Sequence, residues 1–133
     1  MNAQEIGNAF KDEIDDFATA RNLPVAWPNV DFTPDALPYL DVQFAPAPND
    51  RLTLKSRTKT YGSLIITVVG AKGVGSAASE ELADEIADKF AVDYTIKTLT
   101  NRLRITVAPS IREGLRDGPH WRVPVVIPYE MLI

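Results

Sequence analysis

At 133 residues and 45% hydrophobic content, the chain is long enough to bury about two-thirds of its unfolded surface around one core, and too apolar to stay disordered. A formal charge of −4 excludes a general nucleic-acid binder, which needs a surplus of Lys and Arg. The lack of cysteine excludes disulfides, thiolate chemistry and Cys-based zinc sites, and fits a reducing compartment. A single domain over residues 1–133 is expected, with no cofactor. The N-terminus lacks the basic start and apolar stretch of a secretory signal. The longest apolar run, residues 64–70 with Thr67 inside it, is far short of the ~20 residues that cross a bilayer. Charge is unevenly spread: residues 1–50 carry two basic against nine acidic residues, giving −7, whereas residues 51–133 carry twelve against nine, giving +3. Such asymmetry suits a protein that meets copies of itself or a partner in a fixed orientation, and also arises by chance.

Ile6, Phe10, Ile14 and Phe17 recur at spacings of four and three, which predicts an N-terminal amphipathic helix with Asn2 as its N-cap and Pro24 near its end. Six prolines between 24 and 48 then exclude a helix. Among them Leu40, Val42 and Phe44 alternate with Asp41 and Gln43, the pattern of a half-buried strand. Residues 51–60 read as one further strand. Arg51, Lys55, Arg57 and Lys59 would share one of its faces, because side chains of equal parity point the same way. Tyr61-Gly62 reads as a bend, and the β-branched run 64–69 as a central strand.

Gly70, Gly73 and Gly75 predict a turn into a second helix, capped by Ser76 or Ser79, with Leu82, Ile86 and Phe90 on its apolar face. Glu81, Asp84, Glu85 and Asp88 make its outer face acidic. Strands near 94–99 and 103–107 are joined by Thr100-Asn101-Arg102 as a hairpin. Residues 109–118 read as a polar loop, and 121–129 as an edge strand, since Pro124 and Pro128 cannot donate to a ladder. The element order predicts an α+β fold: a mixed, mainly antiparallel sheet packed by two helices.

Three patterns could carry chemistry. Gly73-Val-Gly75-Ser-Ala-Ala78 matches the GxGxxA variant of a dinucleotide turn, with Asp93 twenty residues on. It stands in a single strand–helix unit, however, and the plainer reading is a glycine turn before a helix. His120 is the only histidine, and no GxSxG elbow accompanies it, so it is expected beside Trp121 as an ordinary polar residue. Carboxylate pairs such as Asp12–Asp16 and Glu81–Glu85 lie opposite the apolar stripes and read as solvated faces. The basic run at 51–59 either guards an edge strand or contacts an acidic surface, such as helix 80–88 of a neighbouring copy.

VAWPNVDFTP (25–34), TYGSLIITVVGAKGVGSAASEELADEIADKF (60–90) and DGPHWRVPVVIPY (117–129) together resemble the tail terminator proteins of long-tailed bacteriophages. The resemblance implies a tail-terminator-like α+β fold and a hexameric ring that caps the tail tube, halts its polymerisation and offers a surface for head joining. It further implies the tail tube protein and a head–tail connector protein as partners, no membrane, no specific nucleic-acid binding although DNA would pass through the ring, and a place in the virion tail after assembly in the host cytoplasm. The alternatives are another head–tail joining or minor tail protein and, more remotely, a small nucleotide-binding enzyme. From the residues themselves, the candidate contacts are Arg51, Lys55, Arg57 and Lys59, then Glu81, Asp84, Glu85 and Asp88, then Arg112 and Arg116.

Overall fold

The computed structural model describes residues 3–27, 38–46, 50–51, 58–71, 77–97, 102–117 and 120–132. Side chains are described for 7–27, 38–45, 62–70, 79–97, 102–114 and 120–130. Helix α1 (Ala3–Arg21) buries Phe10, Ile14, Phe17 and Ala18, the stripe its periodicity predicts. Asn2 and the side chain of Ile6 lie outside what is described. The helix ends in a Schellman motif. Asn22 adopts a left-handed φ of 54°, its N–H reaches the Thr19 carbonyl at 3.3 Å, and the Leu23 N–H reaches the Ala18 carbonyl at 2.9 Å. Asparagine tolerates that backbone, so the terminus is built into the sequence two residues before Pro24.

Strand β1 (Val25–Ala26) pairs in parallel with β2 (Tyr39–Pro46), which in turn runs antiparallel to β4 (Thr58–Ala71). The predicted alternation in β2 holds: Leu40 and Val42 are buried, and Gln43 is exposed. Residues 51–60 do not form one strand. The chain folds back, so that β3 (Asp50–Arg51) pairs with the start of β4, Asp50 opposite Lys59 and Arg51 opposite Thr58. Nor does the chain bend at Tyr61-Gly62; β4 continues straight through both, paired on either side.

Helix α2 (Ala77–Lys89) buries Ala83 and Ile86, with Phe90 just beyond its end. Ser79 is no cap. It lies inside the first turn, buried, with its Oγ against Gly70, where an added Cβ would come within 2.7 Å of it. Ser76, Gly73 and Gly75 fall outside the described residues. Strands β5 (Thr95–Lys97) and β6 (Arg102–Ile105) form the expected antiparallel pair. The segment read as a polar loop contains two short strands, β7 (Ser110–Ile111) and β8 (Leu115–Asp117).

The last described strand, β9 (His120–Leu132), is central rather than at an edge. One side pairs with β4 without interruption from Lys59↔Leu132 to Ala71↔His120. The other side meets β8, β7 and β6 in turn. Hydrogen-bond parity explains how two prolines are tolerated. The carbonyls of Pro128 and Pro124 accept from the Thr106 and Arg112 N–H groups at 3.2 and 2.8 Å. A residue in an antiparallel strand directs its N–H and C=O to the same neighbour. Both missing donors therefore belong to the β6–β8 side, and the β4 ladder loses nothing. The first break in the other ladder follows at 106–109, where four residues oppose two of β9, and the second at 112–114, where three oppose two.

The resulting sheet is curled and mixed, in the order β1-β2-β4-β9-β6-β5, with both helices on one face: an α+β fold. That face gathers Leu40, Val42, Leu64, Ile66, Val68, Leu103, Ile105, Val123, Val125, Ile127 and Tyr129 with the buried residues of α1 and α2 into one apolar cluster. Cross-strand register puts them there together, as with Val42↔Ile66↔Val125.

Candidate interaction surfaces

The outer surface of α2 is acidic, as its pattern predicts. Glu80, Glu81, Asp84 and Asp88 are exposed, and none makes an ion pair with a described residue. Glu85 differs. Its Oε2 accepts from the Arg21 guanidinium of α1 at 2.6 Å, with both side chains over a third exposed. Arg21 is held in place by the Phe17 ring, 3.9 Å from its guanidinium carbon. A second bridge joins Lys89 to Glu13 at 3.1 Å. Arg21 and Lys89 thus tie the two helices together.

The basic stripe is not assembled as expected. Arg51 and Lys59 stand on different strands at non-opposed positions, while Lys55 and Arg57 lie outside the described residues. Arg112 is exposed in the link between β7 and β8. Arg116 sits in β8 opposite Trp121. His120 does neighbour Trp121, and its ring meets the edge of Tyr39 with centroids 6.4 Å apart.

The sheet face away from the helices carries two charge clusters that sequence reading missed. Arg122 reaches across β4 to Asp41 at 2.9 Å, both half-buried. Arg104 places Nε and Nη2 on Oε1 of Glu130, at 3.0 and 2.7 Å, and Nη1 on Asp93 at 2.9 Å. Glu130 is only 3% exposed, so the guanidinium supplies the counter-charge that a buried carboxylate requires. These two carboxylates raise the pKa of Arg104, the hydrogen bond to Glu130 most of all. Beside them, on the same face, Lys97 and Arg102 are exposed and directly opposite each other across the β5–β6 pair. The predicted hairpin had placed Arg102 in the turn, which hid that opposition. Among the described residues the exposed large hydrophobics are Val92, Val107 and Ile111. The Asp93 N–H to Ile105 carbonyl bond, 2.9 Å, draws the segments bearing the two valines together.

A protein-family model described as phage tail terminator protein matches residues 5–129. This chain belongs to the phage tail terminator family. A solved chain with 29% identity covers 98% of this terminator and 96% of its own length, with a TM-score of 0.83. A second, from the virion of a native gene transfer agent particle, is 17% identical over 87% of this chain and 84% of its own, with a TM-score of 0.57, and shares the fold. No curated protein matches. Membership of this family gives the terminator a structural role in the phage tail.

The geometry also bears on the dinucleotide reading. That motif needs a parallel strand beside the one that precedes the helix. After α2 the terminator instead places β5 three strands away from β4 and antiparallel to it. Asp93, the would-be ribose ligand, sits at φ 69° in a turn and is held by Arg104.

One contact sets a pH dependence. Tyr94 donates its hydroxyl to Oε2 of Glu13 at 2.8 Å, and its pKa is pushed up from 10.0 to about 12, chiefly by burial and then by that hydrogen bond. The unfolded tyrosine releases its proton near pH 10.0 and the folded one near 12. Its stabilisation is therefore full below pH 10 and disappears as pH rises through about 12. Denaturant unfolding measured from pH 9 to pH 12 should show a decline that is shallower in Tyr94→Phe. Some slope should remain, because burial also raises Tyr129.

Proposed function

We propose that this terminator assembles into a ring, six copies in the completed tail, that caps the tail tube, ends its polymerisation and presents the surface to which the head is joined. The family match over residues 5–129 carries this reading. A closed ring uses head-to-tail contacts, so each subunit needs two different, complementary surfaces. The acidic row on α2 and the cations on the far face of the sheet are such a pair. The net charge of −4 suits a ring through which DNA passes without being held, since a basic lining would retain it. Its partners are copies of itself, the tail tube protein and a head–tail connector protein. It works without catalysis, in the virion tail, after assembly in the host cytoplasm.

Electron microscopy of tail tube protein polymerised with increasing amounts of the terminator tests the reading. Tubes should become shorter and carry a cap of density at one end. Tubes that grow to the same lengths, uncapped, at every ratio would refute it.

A further inference from the structure

Among the described residues, Lys97 and Arg102 are cations without an ion-pair partner at the end of the sheet. They stand directly opposite each other on neighbouring strands, an arrangement that destabilises a sheet when the charges are alike. The nearby acids are committed elsewhere: Glu130 and Asp93 both bind Arg104. Among the described residues no carboxylate pairs with either cation. Arg102 and Arg104 alternate with the buried Leu103 and Ile105, so the cations point away from the helices. The acidic row of α2, Glu81, Asp84 and Asp88, lies on the opposite side of the same sheet and makes no ion pair with a described residue either. Surfaces of opposite sign on opposite faces of one sheet cannot meet within a chain. They can meet between successive copies related by rotation.

We infer that Lys97 and Arg102 of one copy receive the outer face of α2 of the next, through Glu81, Asp84 and Asp88. This contact rests on the ring reading above and names the surfaces that close it. The like-charge opposition in β5–β6 is relieved only when the neighbour arrives, so the interface adds little in an isolated subunit and gains in the assembled one. Because the groups are exposed, salt weakens the contact. The competing account of the cations is that they merely protect the edge strand β5 from unwanted pairing.

Two charge reversals test it: Lys97→Glu with Arg102→Glu, and Glu81→Lys with Asp84→Lys and Asp88→Lys. Assembly is followed by sedimentation velocity and electron microscopy, with and without tail tube protein, at low and high salt, and thermal melts establish that each variant folds. Each variant alone should require about tenfold more protein, or more, to form rings. An equimolar mixture should recover assembly. Alternating subunits then present opposite charges at every contact, which closes only in a ring of even number. Variants that assemble like the wild type, or a mixture that fails to recover, would place the contact elsewhere and leave the ring standing. A wild-type protein that never forms rings, even on tubes, would overturn the ring and this contact together.

Discussion

Phe10→Ala is expected to lower the unfolding free energy by about 3–5 kcal/mol, the usual cost of removing a buried aromatic ring. Phe10 is fully buried, and three aromatic rings converge on it. Tyr129 of β9 lies at 5.3 Å between centroids, Phe90 after α2 at 5.9 Å, and Phe44 of β2 at 6.2 Å. The side chain thus joins α1 to the sheet's central strand, to the strand near its edge and to the end of α2. Truncation leaves a void bordered by rings fixed from three directions, which cannot collapse easily. Small domains have about 5–15 kcal/mol in total, so the variant should be marginal. Urea denaturation would check the value. A loss below about 1 kcal/mol would mean that the rings repack without Phe10.

Gly62→Ala should cost about 1–3 kcal/mol for the opposite reason, an atom too many. Gly62 faces Tyr129 directly across the β4–β9 ladder, and the tyrosine ring lies over it. A Cβ there would stand 2.5 Å from the Tyr129 hydroxyl oxygen and 2.7 Å from the ring carbon bearing it. Tyr129 is 2% exposed and already packed edge-to-face against Phe10, so it has little room to yield. The two substitutions should therefore not be additive. In the double variant the displaced ring can move toward the space left by Phe10, and the combined loss should fall short of the sum by about 0.5 kcal/mol or more. Strict additivity in a double-mutant cycle would show that Tyr129 does not couple the two positions.

Much of this fold was legible because burial imposes periods. Phe10, Ile14 and Phe17 marked α1, Ile86 and Phe90 marked α2, and Leu40 and Val42 marked β2, each from spacing alone. The β-branched run in β4 announced a central strand. β9 was misjudged because a proline forbids a bond on one side of a strand only, and which side depends on a register that no local pattern reveals. The expected stripe at 51–59 failed similarly. Parity holds along an extended chain and is lost once the chain folds back, as it does between β3 and β4. The acidic face of α2 was readable from helical spacing. Its counterpart at Lys97 and Arg102 was not, because their opposition exists only after β5 and β6 are aligned.

The β4–β9 ladder has a consequence for the birth of the protein. The longest pairing in the sheet joins segments separated by residues 72–119. At about 5–20 residues per second, a ribosome needs several seconds to deliver the second segment after the first has emerged. During that interval β4, already apolar and β-branched, has β2 on one side and no partner on the other. The nascent terminator therefore passes through a stage with its most adhesive edge uncovered, and strand 120–132 ends that stage by inserting between elements made before it.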